Sequence, residues 1–243
     1  MADNGAIKEH ARRLYSGMES PWPTSNRWST HTHTSITTLI AKHVRPLLQP
    51  GHRILNVGSF GNSYGLQAAL HVHTDIVLEP LLAAPQACVA DAERLPFKDE
   101  IFDIVLCVGS VINYCSAAEV VRQLARVTRP GGHIALEFET SDSFEFMFSG
   151  DFAKDVTVVE TFYNGVLEKI RVYGRGYIEA ALRTYELRPF SRETFHTVSP
   201  LAYRLLADEQ AAAKYGLLDK LVRYVPIIRN LSANVFVMAQ KTS

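Results

Sequence analysis

The stretch Arg53-Ile-Leu-Asn-Val-Gly-Ser-Phe-Gly-Asn-Ser-Tyr-Gly65 decides the fold class of this chain. Residues 54–57 are short and mostly apolar, which is typical of a buried strand. The residues that follow are small and include Gly58 and Gly61, and a helix is predicted to begin near Tyr64. A strand, a glycine turn and a helix in this order let backbone N–H groups approach a nucleotide-like ligand. The sequence therefore predicts an α/β protein with its ligand at this turn.

Predicted strands and helices alternate on both sides of that stretch. Apolar spacing predicts helices over residues 36–47, 66–70 and 117–127, and strands over residues 54–57, 75–78, 87–90, 102–108, 133–138 and 234–239. Ser116 and Glu119 have the spacing of a capping box at the start of the third of these helices. Short apolar strands separated by helices indicate a parallel sheet that is covered on both faces.

The pattern changes after Thr140. Residues 156–163 and 166–173 alternate in polarity and flank Asn164-Gly165, which predicts an antiparallel hairpin with a type I′ turn. Residues 176–187 fit either a third antiparallel strand or a helix. A helix start is predicted at Ser191, and a further helix over residues 208–223. The hairpin could cover a ligand pocket, or its edge could pair with a second copy of the chain in a homodimer.

Composition limits the classes of function. The chain has 243 residues, of which 47% are hydrophobic, and 25 basic residues balance 25 acidic ones. A zero net charge gives no electrostatic signature for binding nucleic acid or an anionic membrane. Three cysteines without metal-ligand spacing indicate a reducing compartment. No signal peptide and no apolar run of about 20 residues is present, so we expect a cytoplasmic protein.

Five segments in order resemble the motifs of the class I S-adenosylmethionine-dependent methyltransferase family. They are residues 54–61, Glu79 after the second predicted strand, residues 90–97, residues 102–110 and residues 124–132. The resemblance implies a Rossmann-like, doubly wound, mostly parallel seven-stranded sheet with an antiparallel last strand. The predicted hairpin is then an insertion after strand five. We divide the chain into an N-terminal arm or lid (residues 1–34) and a methyltransferase-like domain (residues 35–243) that contains inserted antiparallel strands (residues 141–190).

The same resemblance implies S-adenosylmethionine as the cofactor and assigns a set of residues to its site. The set is Tyr15, Asn56, Gly58, Ser59, Gly61, Glu79, Asp91, Ala92 and Gly109. Glu79 would accept hydrogen bonds from the ribose hydroxyls, and Asp91 would accept one from the adenine amino group while the Ala92 N–H donates to the ring. The chain departs from the family pattern at Asn56, where an acid is usual, and at Phe60 and Asn62, where glycines are usual.

These residues predict methyl transfer to an O or N atom of a small-molecule acceptor. Such a displacement mainly requires alignment of the acceptor and exclusion of water, so a conspicuous catalytic residue need not exist. The candidates are Asn113 and Tyr114 after the fourth strand, and His31 and His33 in the arm. His31 and His33 lack a third ligand nearby, so no metal site is predicted. Two alternatives stay open: a methyltransferase-like protein without catalysis, and an enzyme that uses the same cofactor for other chemistry.

Overall fold

A mixed sheet forms the centre of the protein. The computed structural model describes residues 4–163, 165–206, 208–216, 218–219 and 225–243. Among these residues the main sheet has seven strands in the order β3-β2-β1-β4-β5-β9-β8. The strands are β1 (Arg53–Val57), β2 (Leu70–Asp75), β3 (Ala87–Val89), β4 (Phe102–Cys107), β5 (Thr128–Glu139), β8 (Leu187–Phe195) and β9 (Asn234–Lys241). β1 to β5 pair in parallel, and β9 runs antiparallel to both of its neighbours. The predicted fold class is confirmed.

Both faces of the sheet are covered by hydrophobic cores. Successive side chains of the central strands point to opposite faces, so each strand contributes to both cores. Ile54 packs on the face that helix α2 (Arg27–His43) covers with Ile36 and Ile40. Leu55, the next residue, packs on the opposite face with helix α3 (Ala117–Val127). Helices α1 (Asn4–Ser16) and α4 (Arg175–Thr184) add Ile7 and other side chains to this second core. Each of the five side chains named here is almost fully buried or lies within these clusters, so the sheet is fixed from both sides.

The predicted hairpin is confirmed. β6 (Val156–Tyr163) and β7 (Val166–Tyr173) form a separate two-stranded antiparallel sheet. Gly165 takes a φ of +78°, which glycine adopts without strain. Asn164 lies outside the described residues. Glu168, Ile170 and Val172 alternate along β7 and are buried, so this face of the hairpin points into the protein.

The structure corrects the connection between the first two strands. Residues 66–70 do not form the predicted helix: the backbone from Gly58 to Ala69 is irregular, and β2 begins at Leu70 rather than at Asp75. Leu55 pairs with Val72 in a parallel register that extends to Val57 and Thr74. The prediction failed because His71 and His73 interrupt the apolar pattern that identifies a buried strand, whereas pairing with β1 determines the strand's real position.

Other predicted elements also differ. Residues 176–187 are mainly helix α4, and the predicted helix start at Ser191 is instead part of β8, because that segment pairs with β9 along its whole length. Ser116 makes no side-chain cap, and Glu119 binds Arg122 instead, so the capping box is absent although α3 has the predicted bounds.

The described part of the chain after β8 is divided into short helical segments. The chain after β8 contains α5 (Ser199–Leu206), α6 (Glu209–Ala212), a short 3-10 helix (Ala213–Tyr215) and α7 (Pro226–Arg229). The predicted helix over residues 208–223 lies partly outside the described residues. The predicted arm is itself helical, since α1 and the start of α2 lie within residues 1–34.

Candidate active site

One large cavity opens at the carboxyl ends of β1, β4 and β5, between the sheet, α1, α2 and the hairpin. Its volume is about 290 Å³, close to the lower end of the range for small-molecule sites, roughly 300–1,000 Å³. Ligands of open α/β sheets bind beyond this edge, where the strand order reverses. The lining residues that carry the argument are Lys8, Tyr15, Gly58, Ser59, Asp75, Asp91, Ala92, Gly109, Ser110, Tyr114, Glu139 and Glu168.

The turn after β1 forms one wall and bonds internally. The Ser59 N–H donates to Thr74 O (2.9 Å), the Phe60 N–H to Asp75 Oδ2 (2.8 Å) and the Gly61 N–H to Ser59 Oγ (3.1 Å). The amides at the tip of the turn are therefore engaged within the protein. Phe60 has a φ of +46° and lines the cavity with its side chain. The turn thus offers a fixed surface rather than a set of open N–H groups.

Gly58 and Gly61 serve different purposes. Gly58 lines the cavity with a φ of +64°, and a Cβ there would lie 2.3 Å from Val111 Cγ2. Gly61 has a φ of +72°, lies outside the lining, and would bring a Cβ to 2.5 Å from Pro80 O. Gly58 therefore keeps the turn packed against the end of β4, whereas Gly61 packs the turn on the segment after β2.

Asn56 is fully buried behind the turn and does not line the cavity. Its Nδ2 donates to Asn62 O at 2.7 Å, while its Oδ1 has no partner among the described residues. A buried acceptor without a partner is costly, on the order of 1–3 kcal/mol. The atom is therefore suited to accept from the amino end of a cofactor through a bridging water.

Asp75 occupies the position at the end of β2 that the sequence assigned to Glu79. Its carboxylate lines the cavity and accepts hydrogen bonds from the Phe60 N–H (2.8 Å) and the Val77 N–H (3.1 Å). Burial raises the pKa of this carboxyl, and the backbone hydrogen bonds oppose that shift. Glu79 begins a short exposed 3-10 helix and lies outside the lining. The shifted start of β2 accounts for the difference.

Asp91 and Ala92, which the resemblance assigned to the cofactor site, line the cavity, and Lys8 of α1 contacts Asp91. Lys8 Nζ lies 2.6 Å from Asp91 Oδ2 and 2.7 Å from Glu93 Oε2. Burial alone would lower the pKa of Lys8, but the two carboxylates outweigh it and the pKa is raised. Helix α1 is thus held over the cavity by an ion pair to a residue of the expected cofactor site.

This ion pair makes the closure of α1 testable. Lys8→Met keeps the apolar stem and removes the charge, so we expect trypsin to cleave at the exposed Arg12 and Arg13 about 5 to 30 times faster, because an ion pair of this kind contributes on the order of 1–2 kcal/mol. Time courses of limited proteolysis measure the effect. Lys42→Met, which breaks an exposed pair with Glu193, is the matched control. Equal cleavage rates for the two variants would contradict a latching role for Lys8.

Tyr114 and Tyr15 form a hydrogen-bonded chain in the cavity wall. The Tyr114 hydroxyl donates to Glu168 Oε2 at 2.5 Å and lies 3.0 Å from the Tyr15 hydroxyl. Burial, together with Tyr15 and Glu168, raises the pKa of Tyr114 well above its usual value. Tyr114 therefore keeps its proton and acts as a donor that positions Glu168.

Glu139 stands at the end of β5, and its carboxyl faces the cavity. Its Oε1 accepts a hydrogen bond from Ser110 Oγ at 2.9 Å. Burial and the nearby Glu168 raise the pKa of Glu139 to about 8. Glu137, two residues earlier, instead accepts from the Gly109 and Ser110 N–H groups and does not line the cavity.

Three of the predicted catalytic candidates lie outside the cavity lining. Asn113 is fully buried and joins β5 to β7: its Nδ2 donates to Glu139 O and Arg171 O, and its Oδ1 accepts from the Glu139 N–H. His33 accepts from Asn62 Nδ2 at 3.1 Å and stacks on Trp22 behind the turn. His31 lies edge-on to His196 at 4.7 Å. Of the four candidates, the structure places only Tyr114 in the wall.

Of the predicted cofactor residues, the cavity brings together Tyr15, Gly58, Ser59, Asp91, Ala92 and Gly109, and leaves out Asn56, Gly61 and Glu79. The sequence interpretation missed Lys8, Asp75 and Glu168 as site residues. Glu168 had a detectable signal, because it is the one charged residue in the alternating set 168, 170 and 172, whose two other members are apolar. Lys8 had none, since its partners lie more than 80 positions away in the chain.

A protein-family model described as a methyltransferase domain matches residues 61–136 of the chain. Among curated proteins, a ubiquinone/menaquinone biosynthesis C-methyltransferase of Cupriavidus necator is 29% identical over 110 residues, covering 37% of this chain and 45% of that protein. A demethylmenaquinone methyltransferase of Mycobacterium marinum is 44% identical over 57 residues, covering 23% of this chain and 25% of that protein. The matched stretches span less than half the length of these relatives.

Solved structures share the fold at low sequence identity. The geranyl diphosphate C-methyltransferase of Streptomyces coelicolor has a TM-score of 0.62 at 10% identity, over 97% of this chain and 98% of that one. The [4+2]-cyclase SpnF has a TM-score of 0.55 at 19% identity, over 85% of this chain and 80% of that one. The shared fold and the family match over residues 61–136 support the resemblance to class I S-adenosylmethionine-dependent methyltransferases, whose members use S-adenosylmethionine.

The described residues include neither a membrane-crossing helix nor a metal-binding cluster. No described helix is both long enough and apolar enough to cross a membrane. No group of three or more His, Cys, Asp or Glu side chains in the described part of the chain is placed to hold a metal ion.

Proposed function

We propose that the protein transfers a methyl group from S-adenosylmethionine to a small molecule held in this cavity. The observation that supports this proposal is that the expected cofactor residues and the acceptor side lie in one continuous cavity. A single cavity joins the expected cofactor residues at the ends of β1 and β2 to a second wall formed by Glu139 and the inserted hairpin. Cofactor and acceptor groups can therefore meet at the ends of β4 and β5, shielded by α1.

The residues present fit this cofactor. The Asp75 carboxylate can accept from ribose hydroxyls and Asp91 from the adenine amino group, and both residues line the cavity. When bound, S-adenosylmethionine supplies an electrophilic methyl group on a positively charged sulfonium. The protein's part is to hold the acceptor in line with that group and to exclude water. Tyr15 and Tyr114 close the cavity on the side of α1.

The acceptor side of the cavity is apolar with acidic groups. Val159, Phe162, Ile170 and Val172 of the hairpin provide the apolar surface. Of the described lining residues, six are acids and Lys8 alone is basic. This balance disfavours phosphorylated acceptors and nucleic acid, and favours a neutral or cationic molecule with an aromatic or aliphatic body. The acceptor atom remains the O or N predicted from the sequence, with carbon as the competing outcome, because the curated relatives are named C-methyltransferases.

Calorimetric titration with S-adenosylmethionine and S-adenosylhomocysteine tests the cofactor. We expect both to bind with dissociation constants between about 1 μM and 1 mM, the usual range of Michaelis constants. Incubation with methyl-labelled S-adenosylmethionine and a panel of phenols, hydroquinones and aliphatic amines, read by mass spectrometry, then identifies the acceptor atom. Failure of both ligands to bind at millimolar concentration would overturn the proposal.

A second candidate is an enzyme that binds the same cofactor but performs other chemistry. The observation that favours it is the turn after β1, whose amides are bonded internally, and which is followed by irregular backbone instead of a helix. The fold admits such chemistry, since SpnF is a [4+2]-cyclase. Tight binding of S-adenosylmethionine with conversion of an acceptor but no label transfer would distinguish this function from methyl transfer.

A further inference from the structure

We propose that Glu139 takes the proton of the acceptor. A positive charge in the part of the cavity lined by the expected cofactor residues converts its carboxyl from a protonated acid into a base. The inference rests on the proposed function and adds to it a catalytic residue. It also narrows the acceptor to molecules that lose a proton from O, N or an activated carbon as they are methylated.

The geometry places Glu139 where the reaction must occur. It ends β5 beside Gly109 and Ser110, which follow β4, and all three line the cavity. The Ser110 hydroxyl holds Oε1 at 2.9 Å, and Oε2 makes no hydrogen bond to any residue that the structure describes. The Asn113 side chain holds the Glu139 backbone at two points, because it donates to the Glu139 carbonyl oxygen and accepts from the Glu139 N–H. One carboxyl oxygen is thus held rigidly while the other faces the cavity.

The groups around Glu139 favour its neutral form when no cation is bound. The charged side chains that act on it are Glu168 on β7, Glu137 on β5 and Glu145 after β5, and each raises the pKa of Glu139. Lys8 is engaged with Asp91 and Glu93, and Arg171 donates to Tyr114 O at 3.4 Å. At neutral pH the carboxyl therefore carries a proton, and a positive charge nearby would reverse this preference.

The other polar groups are less suited to accept the proton. Tyr114 donates to Glu168, and the pKa of Tyr114 is raised, so it has no vacant basic site. Glu168 already accepts the short bond from Tyr114. His33 uses its Nε2 to accept from Asn62 and lies outside the lining. Of these four residues, only Glu139 both lines the cavity and keeps a carboxyl oxygen that makes no hydrogen bond to a described residue.

The step balances in atoms and charge. A positive sulfonium in the cavity favours release of the Glu139 proton to solvent. The resulting carboxylate removes the proton from the acceptor while the acceptor atom forms its bond to the methyl carbon and the carbon–sulfur bond breaks. The electron pair of that bond stays on sulfur as a neutral thioether, so the cation that stabilised the carboxylate disappears and Glu139 keeps the proton. After the products leave, binding of a new S-adenosylmethionine again favours release of the Glu139 proton to solvent.

Proton release on ligand binding tests the proposal without an acceptor. S-adenosylmethionine carries the sulfonium charge and S-adenosylhomocysteine does not, so the two are compared by calorimetry at pH 7 in phosphate and in Tris, whose heats of ionisation differ. A cation near a carboxyl lowers its pKa by about 1 to 3, which predicts release of roughly 0.4 to 0.9 more proton per site with S-adenosylmethionine. Glu139→Gln should abolish this difference, and Glu119→Gln on the surface of α3 should leave it unchanged.

Two outcomes would overturn the role of Glu139: equal proton exchange with both ligands in the wild type, or a difference that persists in Glu139→Gln. Binding of neither ligand would instead overturn the proposed function itself. Glu139→Asp, which keeps a carboxyl, should retain part of the proton release. With an acceptor from the panel, Glu139→Gln should lower kcat about 100-fold or more, and the lost attraction between carboxylate and sulfonium should raise the KM for S-adenosylmethionine by roughly 2- to 90-fold at pH 7.

Discussion

Replacing Asp75 by Ala is expected to weaken S-adenosylmethionine binding at least about 100-fold, whereas Glu79→Ala should leave it unchanged. Asp75 is buried at the end of β2 and lines the cavity, while Glu79 is exposed and lies outside the lining. A carboxylate that accepts from two ribose hydroxyls makes charge-assisted hydrogen bonds, and each contributes on the order of 1.5–3 kcal/mol. Two such bonds lost together give the expected factor.

Asp75 has a second role that the experiment must separate from binding. Its carboxylate also accepts from the Phe60 and Val77 N–H groups, so Asp75→Ala leaves two amides without their acceptor and should lower the free energy of unfolding. Asp75→Asn keeps an oxygen acceptor and removes the charge. Because the Phe60 and Val77 N–H groups bond to different oxygens, only one of them keeps its acceptor in Asp75→Asn. We therefore expect Asp75→Asn to unfold at a temperature between those of the wild type and Asp75→Ala, and still to lose most of the affinity in calorimetry. Weak binding in Glu79→Ala with normal binding in Asp75→Asn would contradict this assignment.

The different positions of Glu79 and Asp75 relative to the cavity show which parts of the candidate site could be predicted from the sequence. Strands β1, β4 and β9 were predicted closely because most of their residues are apolar and buried. β2 has only Leu70 and Val72 as apolar residues, so its position follows from pairing with β1, which composition does not reveal. Because the predicted strand ended later than β2 does, the sequence pointed to Glu79, whereas the acid at the observed end of β2 is Asp75.

The rest of the site depends on contacts that are distant in sequence. Lys8 and Tyr15 reach the cavity from α1, and Glu168 reaches it from the inserted hairpin. Local patterns predict helices and strands, but they do not state which helix covers which strand end. The segment from Ser191 to Phe195 gives the opposite case. It begins like a helix, yet β9 offers it a full ladder of hydrogen bonds, and tertiary pairing overrides the local preference.

Glu139→Gln is expected to stabilise the folded protein at pH 8 by on the order of 3 kcal/mol and to have little effect at pH 5. The pKa of Glu139 is about 8 in the folded protein, above the ordinary value of 4.5, because of burial and Glu168. Below the ordinary value both the folded and the unfolded chain hold the proton, so stability is unaffected. As the pH rises toward 8, the unfolded chain releases the proton and the folded chain retains it, so the free energy of unfolding falls. Above 8 the loss is complete.

Gln removes this penalty because it cannot ionise, and its Oε1 can still accept from Ser110 Oγ. Urea unfolding of wild type and Glu139→Gln at pH 5 and pH 8 measures the effect, and Glu137→Gln is a matched control on the same strand. Glu137 accepts from the Gly109 and Ser110 N–H groups and from Asn234 Nδ2, so its replacement should destabilise the protein at both pH values. Destabilisation by Glu139→Gln at pH 8 would mean that the carboxyl is needed for the fold. The expected gain in stability would instead show that this carboxyl is retained at a cost to the fold, as is common for groups that serve chemistry.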